Sequence, residues 1–294
     1  MACGDNAEMH TPEPLHTRAL ERTVADFRAA WEQAHQNMPR STGLASAGRP
    51  PPEFVPWFCG PTLLGYLSAA RALLLAAHLA PCRLQAQRLD WDAAGWSAST
   101  RSAALQNALL ELHAQGRVPG WRDELFSFSA DACDAPLFQV ERAGFYFLGM
   151  RSDAVHVNGF STDGALWVAR RSASKTIDPG LLDNLCAGGV AAGESLLSCL
   201  RRELYEEAGI QLQADHTLSA AGTVVVGRVR DGGWHEERLH VYNLLLSTHE
   251  RPVNRDGEVQ EFRSLDAQTL AQLVQAQAFT PDAAAAIVQG LGLA

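Results

Sequence analysis

Apolar residues recur at helical spacing from His16 to Ala34, with Leu20, Val24, Phe27 and Trp31 on one side of an amphipathic helix. Residues 1–15 before it read as an unstructured start, and the Gly-, Pro- and Ser-rich stretch Pro39 to Pro56 as loop. Further helices are expected over Gly65–Leu79 and Ser99–Gln115, the second closed by Gly116 as a C-terminal cap. After about Ala135 the period changes. Short runs of β-formers follow, at Phe145–Leu148, Ala154–Val157, Leu166–Ala169, Thr223–Val229 and Leu239–Leu246. Turn residues such as Asn158-Gly159, Asp163-Gly164 and Asp231-Gly232-Gly233 separate them. One strong helix, Ser195 to Ala208, interrupts the strands, and helices over Asp266–Gln277 and Asp282–Gly290 close the chain. The pattern predicts a mainly helical domain over 1–135 and a mixed α/β domain of ordinary size over 136–294.

Composition changes this picture little. Of 294 residues, 47% are hydrophobic and 19% charged, a globular balance. The longest apolar run, Ala69 to Ala80, is broken by Arg71 and His78 and is too short to span a bilayer. Met1 to Pro14 is polar and lacks a signal-peptide core, so a cytoplasmic location and no membrane partner are expected. The net charge is −9, and Lys175 is the single lysine among 24 basic residues. Nucleic acid is not an expected partner, because coating it needs a broad basic footprint. The six cysteines form no Cys-x-x-Cys pair and read as scattered reduced thiols rather than zinc ligands.

The segment from Gly188 to Ile210 carries the candidate chemistry. Leu197, Leu200, Leu204 and Ala208 fall on one arc of the helix, and Gly209 stands where a left-handed cap is needed. Glu203, Glu206 and Glu207 share a neighbouring arc at i, i+3 and i+4. Like charges at that spacing repel, and Arg202 offsets only part of this. A hard divalent cation above the stripe would make sense of it, since Mg²⁺ prefers oxygen ligands. Taken alone, the trio is more simply a solvated helix face. Gly188-x-x-x-x-Gly193 also resembles the start of a phosphate-binding loop, but Glu194 stands where the lysine would be, which excludes that reading.

The whole pattern changes the balance. Gly188, Glu194, Arg202-Glu203, Leu204, Glu206-Glu207, Gly209 and Ile210 resemble the Nudix box at every defined position. That resemblance implies a Nudix fold, a mixed sheet between helices with the box forming a loop–helix–loop. It implies a hydrolase that cleaves a diphosphate linkage with Mg²⁺, or Mn²⁺ in its place. Glu203 and Glu207 then look like the main metal ligands, Glu206 a further one, and the Gly188 carbonyl a contributor. Arg202 looks like an orienting partner and Glu194 a supporting carboxylate. Glu258, outside the box, is the candidate base. Arg170, Arg171 and Lys175, just upstream, are candidates for gripping the phosphates.

The resemblance extends outward. His156-Val157-Asn158-Gly159-Phe160, the run Leu166 to Ser172, Pro179-Gly180, Leu182 to Leu185, Asp256 to Val259 and Phe262 resemble Nudix proteins related to thiamine pyrophosphokinase. Those carry an extra N-terminal domain, and Trp121-Arg122-Asp123-Glu124 fits its end. Some relatives add a kinase domain, which is not expected within these 294 residues. The subfamily implies thiamine diphosphate, or its damaged oxo and oxy analogues, as small-molecule substrate. Nucleoside diphosphate derivatives such as ADP-ribose or nucleotide sugars are the alternative, and a non-catalytic ligand sensor is a third reading. The N-terminal part could cap the site, set substrate choice or build a homodimer. Trp167 reads as core, and His156 and His240 as packed or surface side chains.

Overall fold

The computed structural model describes residues 14–36, 49–85, 87–131, 135–247 and 249–293. The expected unstructured start, most of the Pro39–Pro56 loop, Cys3 and Cys133 lie outside those residues.

The chain opens with α1 (Pro14–Gln36). A four-stranded sheet follows from β1 (Val55–Cys59), β2 (Thr62–Leu67), β3 (Cys82–Gln85) and β4 (Arg88–Trp91), in the order β2-β1-β4-β3. The helix α2 (Ala69–His78) lies between β2 and β3 in sequence, and α3 (Ala98–Ala114) follows β4. The pair β5 (Leu125–Phe128) and β6 (Phe138–Glu141) and the helix α4 (Arg142–Leu148) complete this part. Its core joins Trp57, Trp91, Leu105, Leu109, Phe138 and Phe145, all fully buried. The first part was expected to be mainly helical; it builds a sheet as well. The expected strand Phe145–Leu148 is the end of α4 instead. Five of its seven residues are buried, so no exposed face marks its period, and Gly149 with φ +62° stops it.

The second part is a seven-stranded mixed sheet. It consists of β7 (Arg151–Ser161), β8 (Leu166–Arg171), β9 (Leu182–Asp183), β10 (Cys186–Gly189), β11 (Thr217–Arg230), β12 (Gly233–Leu246) and β13 (Val259–Leu265). The main order is β11-β12-β7-β8-β13, with β10 on β7 and β9 on β8. β7 runs parallel to β12 and antiparallel to β8 and β10. One face is covered by α5 (Leu196–Ala208), with Leu200 and Leu204 against Val155, Val157 and Leu244. The other is covered by α6 (Ala267–Gln275) and α7 (Pro281–Gly290). This alternation follows the strand period, which sends Ala154 to one face and Val155 to the other. The first helix does not join the first part's core. Leu20, Phe27 and Trp31 of α1 bury against Phe160, Leu265 and Leu270, with Phe27 edge-on to Phe160 at 5.6 Å.

Candidate active site

The helix α5 begins at Ser195, whose hydroxyl accepts the Ser198 N–H at 3.1 Å, and ends at Gly209 with φ +68°. Its apolar arc faces the sheet, and its acidic arc faces a cavity of about 350 Å³. Beneath that arc run Gly188 and Gly189 of β10. A Cβ on Gly188 would lie 1.9 Å from Glu203 Oε1, and one on Gly189 would lie 2.5 Å from the Phe126 ring. Glycine is needed here because a carboxylate and an aromatic ring both press on the strand.

Arg202 ties the box carboxylates together. It donates to both oxygens of Glu194 at 2.9 Å, to Glu203, and to Glu206 at 3.3 Å. The two parallel bonds to Glu194 are the strong bidentate kind. Burial works against an ionised Glu194, yet these bonds hold its carboxyl below the ordinary range. At Glu203 burial wins over Arg202 and raises the carboxyl. Glu207 is 7% exposed, and its Oε2 accepts the Ala187 N–H at 3.0 Å. Burial, with the charge of Glu203, pushes it up to about 8. A carboxylate in that setting is stabilised in its charged form by a nearby cation.

Two loops face α5 across the cavity. In the one after β8, Lys175 Nζ contacts the Glu258 carboxylate and lies 4.0 Å from Glu207 Oε1. Burial lowers the Lys175 ammonium, with Glu207 opposing. In the other, before β13, the Glu258 N–H donates to Asp256 Oδ1 at 2.8 Å. Burial raises the Asp256 carboxyl, with Lys175 opposing. Carboxylate oxygens of Glu207, Asp256 and Glu258 all lie within 4.8 Å of one another. An all-oxygen, partly buried donor set of this kind fits a hard divalent cation such as Mg²⁺. Glu206 also lines the cavity, but with a side chain 47% exposed. The helix explains the split. Residue 207 stands about 40° round the helix from 203 on one side and 206 about 60° on the other, so 206 and 207 point about 100° apart.

Arg171 lines the cavity, with Nη1 on Asp183 at 2.7 Å and Nη2 on the Ile177 carbonyl at 2.9 Å. Arg170 does not line it. It donates to Glu261 and to the Gly180 carbonyl, both at 2.8 Å, because neighbouring residues on a strand point to opposite faces. His156, read as a packed or surface histidine, is buried, lines the cavity and meets Asn184 Oδ1 at 2.7 Å. His240 is buried on Asp153 at 2.6 Å, and Trp167 packs against the core beneath α5.

Several lining residues escaped the sequence reading. For Asp256 the available signal was its place two residues before Glu258 in an Asp-Gly-Glu turn. Arg122, Arg142 and Tyr146 come from the first part, and Arg228, His235, Glu237 and Asp282 from the far end of the second. These carry no local spacing signal, since the sheet assembles them from distant segments.

Comparison with known proteins follows the same division. A NUDIX domain model matches residues 150–287, and a domain of unknown function (DUF4743) matches residues 36–152. Nudix hydrolase 24, chloroplastic, of Arabidopsis thaliana is 35% identical over 196 residues, covering 64% of this chain and 52% of its own length. Nudix hydrolase 20, chloroplastic, of the same plant is 32% identical over 182 residues, covering 61% and 49%. The uncharacterized protein YJR142W of Saccharomyces cerevisiae is 29% identical over 191 residues, covering 59% and 55%. The chain thus spans about half the length of these curated relatives. Among solved structures, DR0079 from Deinococcus radiodurans is similar at 21% identity and a TM-score of 0.44, over 56% of this chain and 97% of its own. Among the described residues, no helix is long and apolar enough to cross a membrane.

Proposed function

We infer that the chain is a metal-dependent pyrophosphohydrolase cleaving a diphosphate linkage in a small molecule, a reading supported by the NUDIX domain model that matches residues 150–287. The observation that carries this reading is the oxygen cluster of Glu207, Asp256 and Glu258 beside the buried Glu203, in a cavity also lined by Arg171 and Lys175.

Glu207 and Asp256 would hold the cation, with Glu203 and the Gly188 carbonyl beside them and Glu258 at its edge. A bound Mg²⁺ or Mn²⁺ supplies charge neutralisation at the phosphates and a more acidic water. The chain's own groups do the rest. Arg171, already aimed by Asp183 and the Ile177 carbonyl, grips a phosphate oxygen through its remaining donors. Lys175 neutralises a second phosphate once it leaves Glu258. Glu258, its side chain 38% exposed at the cavity rim, is the group placed to accept a proton from the attacking water. Arg202 keeps Glu203 and Glu194 fixed throughout, and Glu206 serves as an outer carboxylate.

The substrate in this proposal is thiamine diphosphate, or a damaged oxo or oxy analogue, cleaved to the monophosphate. Its support is the resemblance in the segments from His156 to Phe262. The setting we propose is cytoplasmic. The division of labour departs from the expected 135/136 boundary, because β6 and α4 belong to the first core: the part that ends with α4 at Leu148 shapes substrate access, and the sheet from β7 onward with α5 carries the carboxylates.

The deciding experiment compares kcat/KM for thiamine diphosphate, oxythiamine diphosphate, ADP-ribose and a nucleotide sugar, with Mg²⁺ and with Mn²⁺. Release of the monophosphate, fastest from a thiamine compound, is expected. Faster cleavage of ADP-ribose would move the substrate to the nucleoside class. No turnover of any of the four, with tight binding of one, would make the protein a sensor.

A further inference from the structure

The carboxylate cavity continues into a second, apolar one of about 230 Å³. Its walls come from both parts of the chain: Pro119, Tyr146 and Phe147 from the first, Ile177 and Trp234 from the second. Arg122, Tyr146, Thr176 and His235 line both spaces, so the two are continuous. Together they reach the roughly 300–1,000 Å³ usual for small-molecule sites, polar at one end and apolar at the other.

Two groups at the junction, the Arg122 guanidinium and His235 Nδ1, lack partners among the described residues. Arg142 is committed to Glu124, and Arg71 to the carbonyls of Tyr146, Phe147 and Asp231. The Arg122 guanidinium makes no hydrogen bond or ion pair among the described residues. Its backbone is pinned, with the Arg122 N–H on Glu141 Oε1 at 2.9 Å. His235 is 6% exposed, its Nε2 lies 3.2 Å from Glu237 Oε2, and its ring sits 4.5 Å from that of Tyr146. Its Nδ1 has no partner. Arg122 is exposed and its guanidinium is open to solvent, whereas His235 Nδ1 is a buried polar atom without a partner, and such atoms are few in folded proteins and call for a reason.

We propose that this second cavity seats the organic group of the diphosphate ester, that the group is a flat heteroaromatic ring, and that Arg122 holds the phosphate next to it. Tyr146, Phe147 and Trp234 line this cavity and give it aromatic, apolar walls suited to a planar group. His235 offers a hydrogen-bonding atom at the ring's polar edge when the pocket is filled. Arg122 stands between ring and phosphates and is free to make a bidentate contact with the anion. The DUF4743 part thereby supplies substrate selection. The inference rests on the hydrolase reading for its substrate class, but its test does not depend on turnover.

The probes are uncleavable: thiamine monophosphate and AMP, against methyl phosphate, by calorimetry on the full chain. At least one aromatic monophosphate should bind roughly tenfold or more tighter than methyl phosphate, as expected when a ring fills an apolar pocket. Thr176→Trp and Pro119→Trp, both at exposed rim positions, should each erase that advantage by filling the pocket. Arg122→Gln should weaken all three probes by a similar factor, roughly tenfold for a lost arginine–phosphate contact. The proposal is overturned if neither aromatic probe outdoes methyl phosphate, or if the advantage survives both tryptophans. An aromatic advantage in a protein that turns over no diphosphate would sink the hydrolase reading and leave the pocket standing. Turnover without the advantage would do the reverse.

Discussion

Replacing Glu207 by glutamine should stabilise the metal-free protein while removing its activity. The Glu207 carboxyl is buried beside Glu203 and is pushed from an ordinary 4.5 up to about 8. The folded state therefore holds this proton where the unfolded chain has released it. The resulting stability is fully present below pH 4.5 and is lost as the pH rises through about 8. At pH 7 that loss amounts to about 3 kcal/mol, from 1.36 kcal/mol per unit between 4.5 and 7. Glu207→Gln keeps an oxygen for the Ala187 N–H and carries no charge at any pH. The difference in Tm between variant and wild type should widen by about 6 °C from pH 4.5 to 7, at about 2 °C per kcal/mol for a chain this long. Scanning calorimetry in a chelator, with both proteins in matched buffers, reads this difference directly. Adding Mg²⁺ should then raise the wild-type Tm and leave the variant behind, because binding to the native state alone stabilises it. A Tm difference that stays constant across this pH range would refute the reasoning about burial. A variant that gains as much from Mg²⁺ as the wild type would refute the metal assignment.

Arg202→Ala should cost about 2–3 kcal/mol in denaturant unfolding, because Glu194 and Glu203 are left with unpaired charge. No loss of stability would mean that those carboxylates are satisfied without it. Gly188→Ala should abolish turnover and weaken cation binding, since the added methyl falls on Glu203; normal calorimetric uptake of Mn²⁺ would contradict this. Glu258→Gln should lower kcat by about 10²–10⁴ with KM little changed and the fold intact, as expected for a general base, and a kcat near wild type would transfer that role elsewhere. Removing residues 14–36 should expose Phe160, Leu265 and Leu270 and lower the Tm of the seven-stranded part, with dye binding to the bared apolar surface; an unchanged Tm would show that α1 is dispensable.

The second half of the fold was readable because its signals are local. The cores of β7, β8, β11 and β12 are runs of branched and aromatic residues bounded by Gly turns, and α5 carries a clean apolar arc. The first half hid its sheet for a physical reason. Thr62 to Leu79 is nearly continuous in apolar residues, so β2 and α2 merged into one expected helix. The break between them is a single cap, Ser68, whose hydroxyl accepts the Arg71 N–H. β3 and β4 are four residues each, too short for a period to show. The site divided in the same way. Arg202, Glu203 and Glu207 were legible from one helix, whereas Asp256 joins them through a loop contact that only the folded chain makes. Helical spacing alone could not say that Glu207 is buried while Glu206 stays half-exposed at the cavity.

Lys175 is the single lysine of the chain, and it reaches into the carboxylate cluster. Amine-directed chemistry on this protein is consequently site-directed. Coupling to a succinimide surface or a fluorophore would modify that cavity or the chain terminus and little else. Isotopic methylation would give one side-chain resonance, located where a cation and a phosphate arrive.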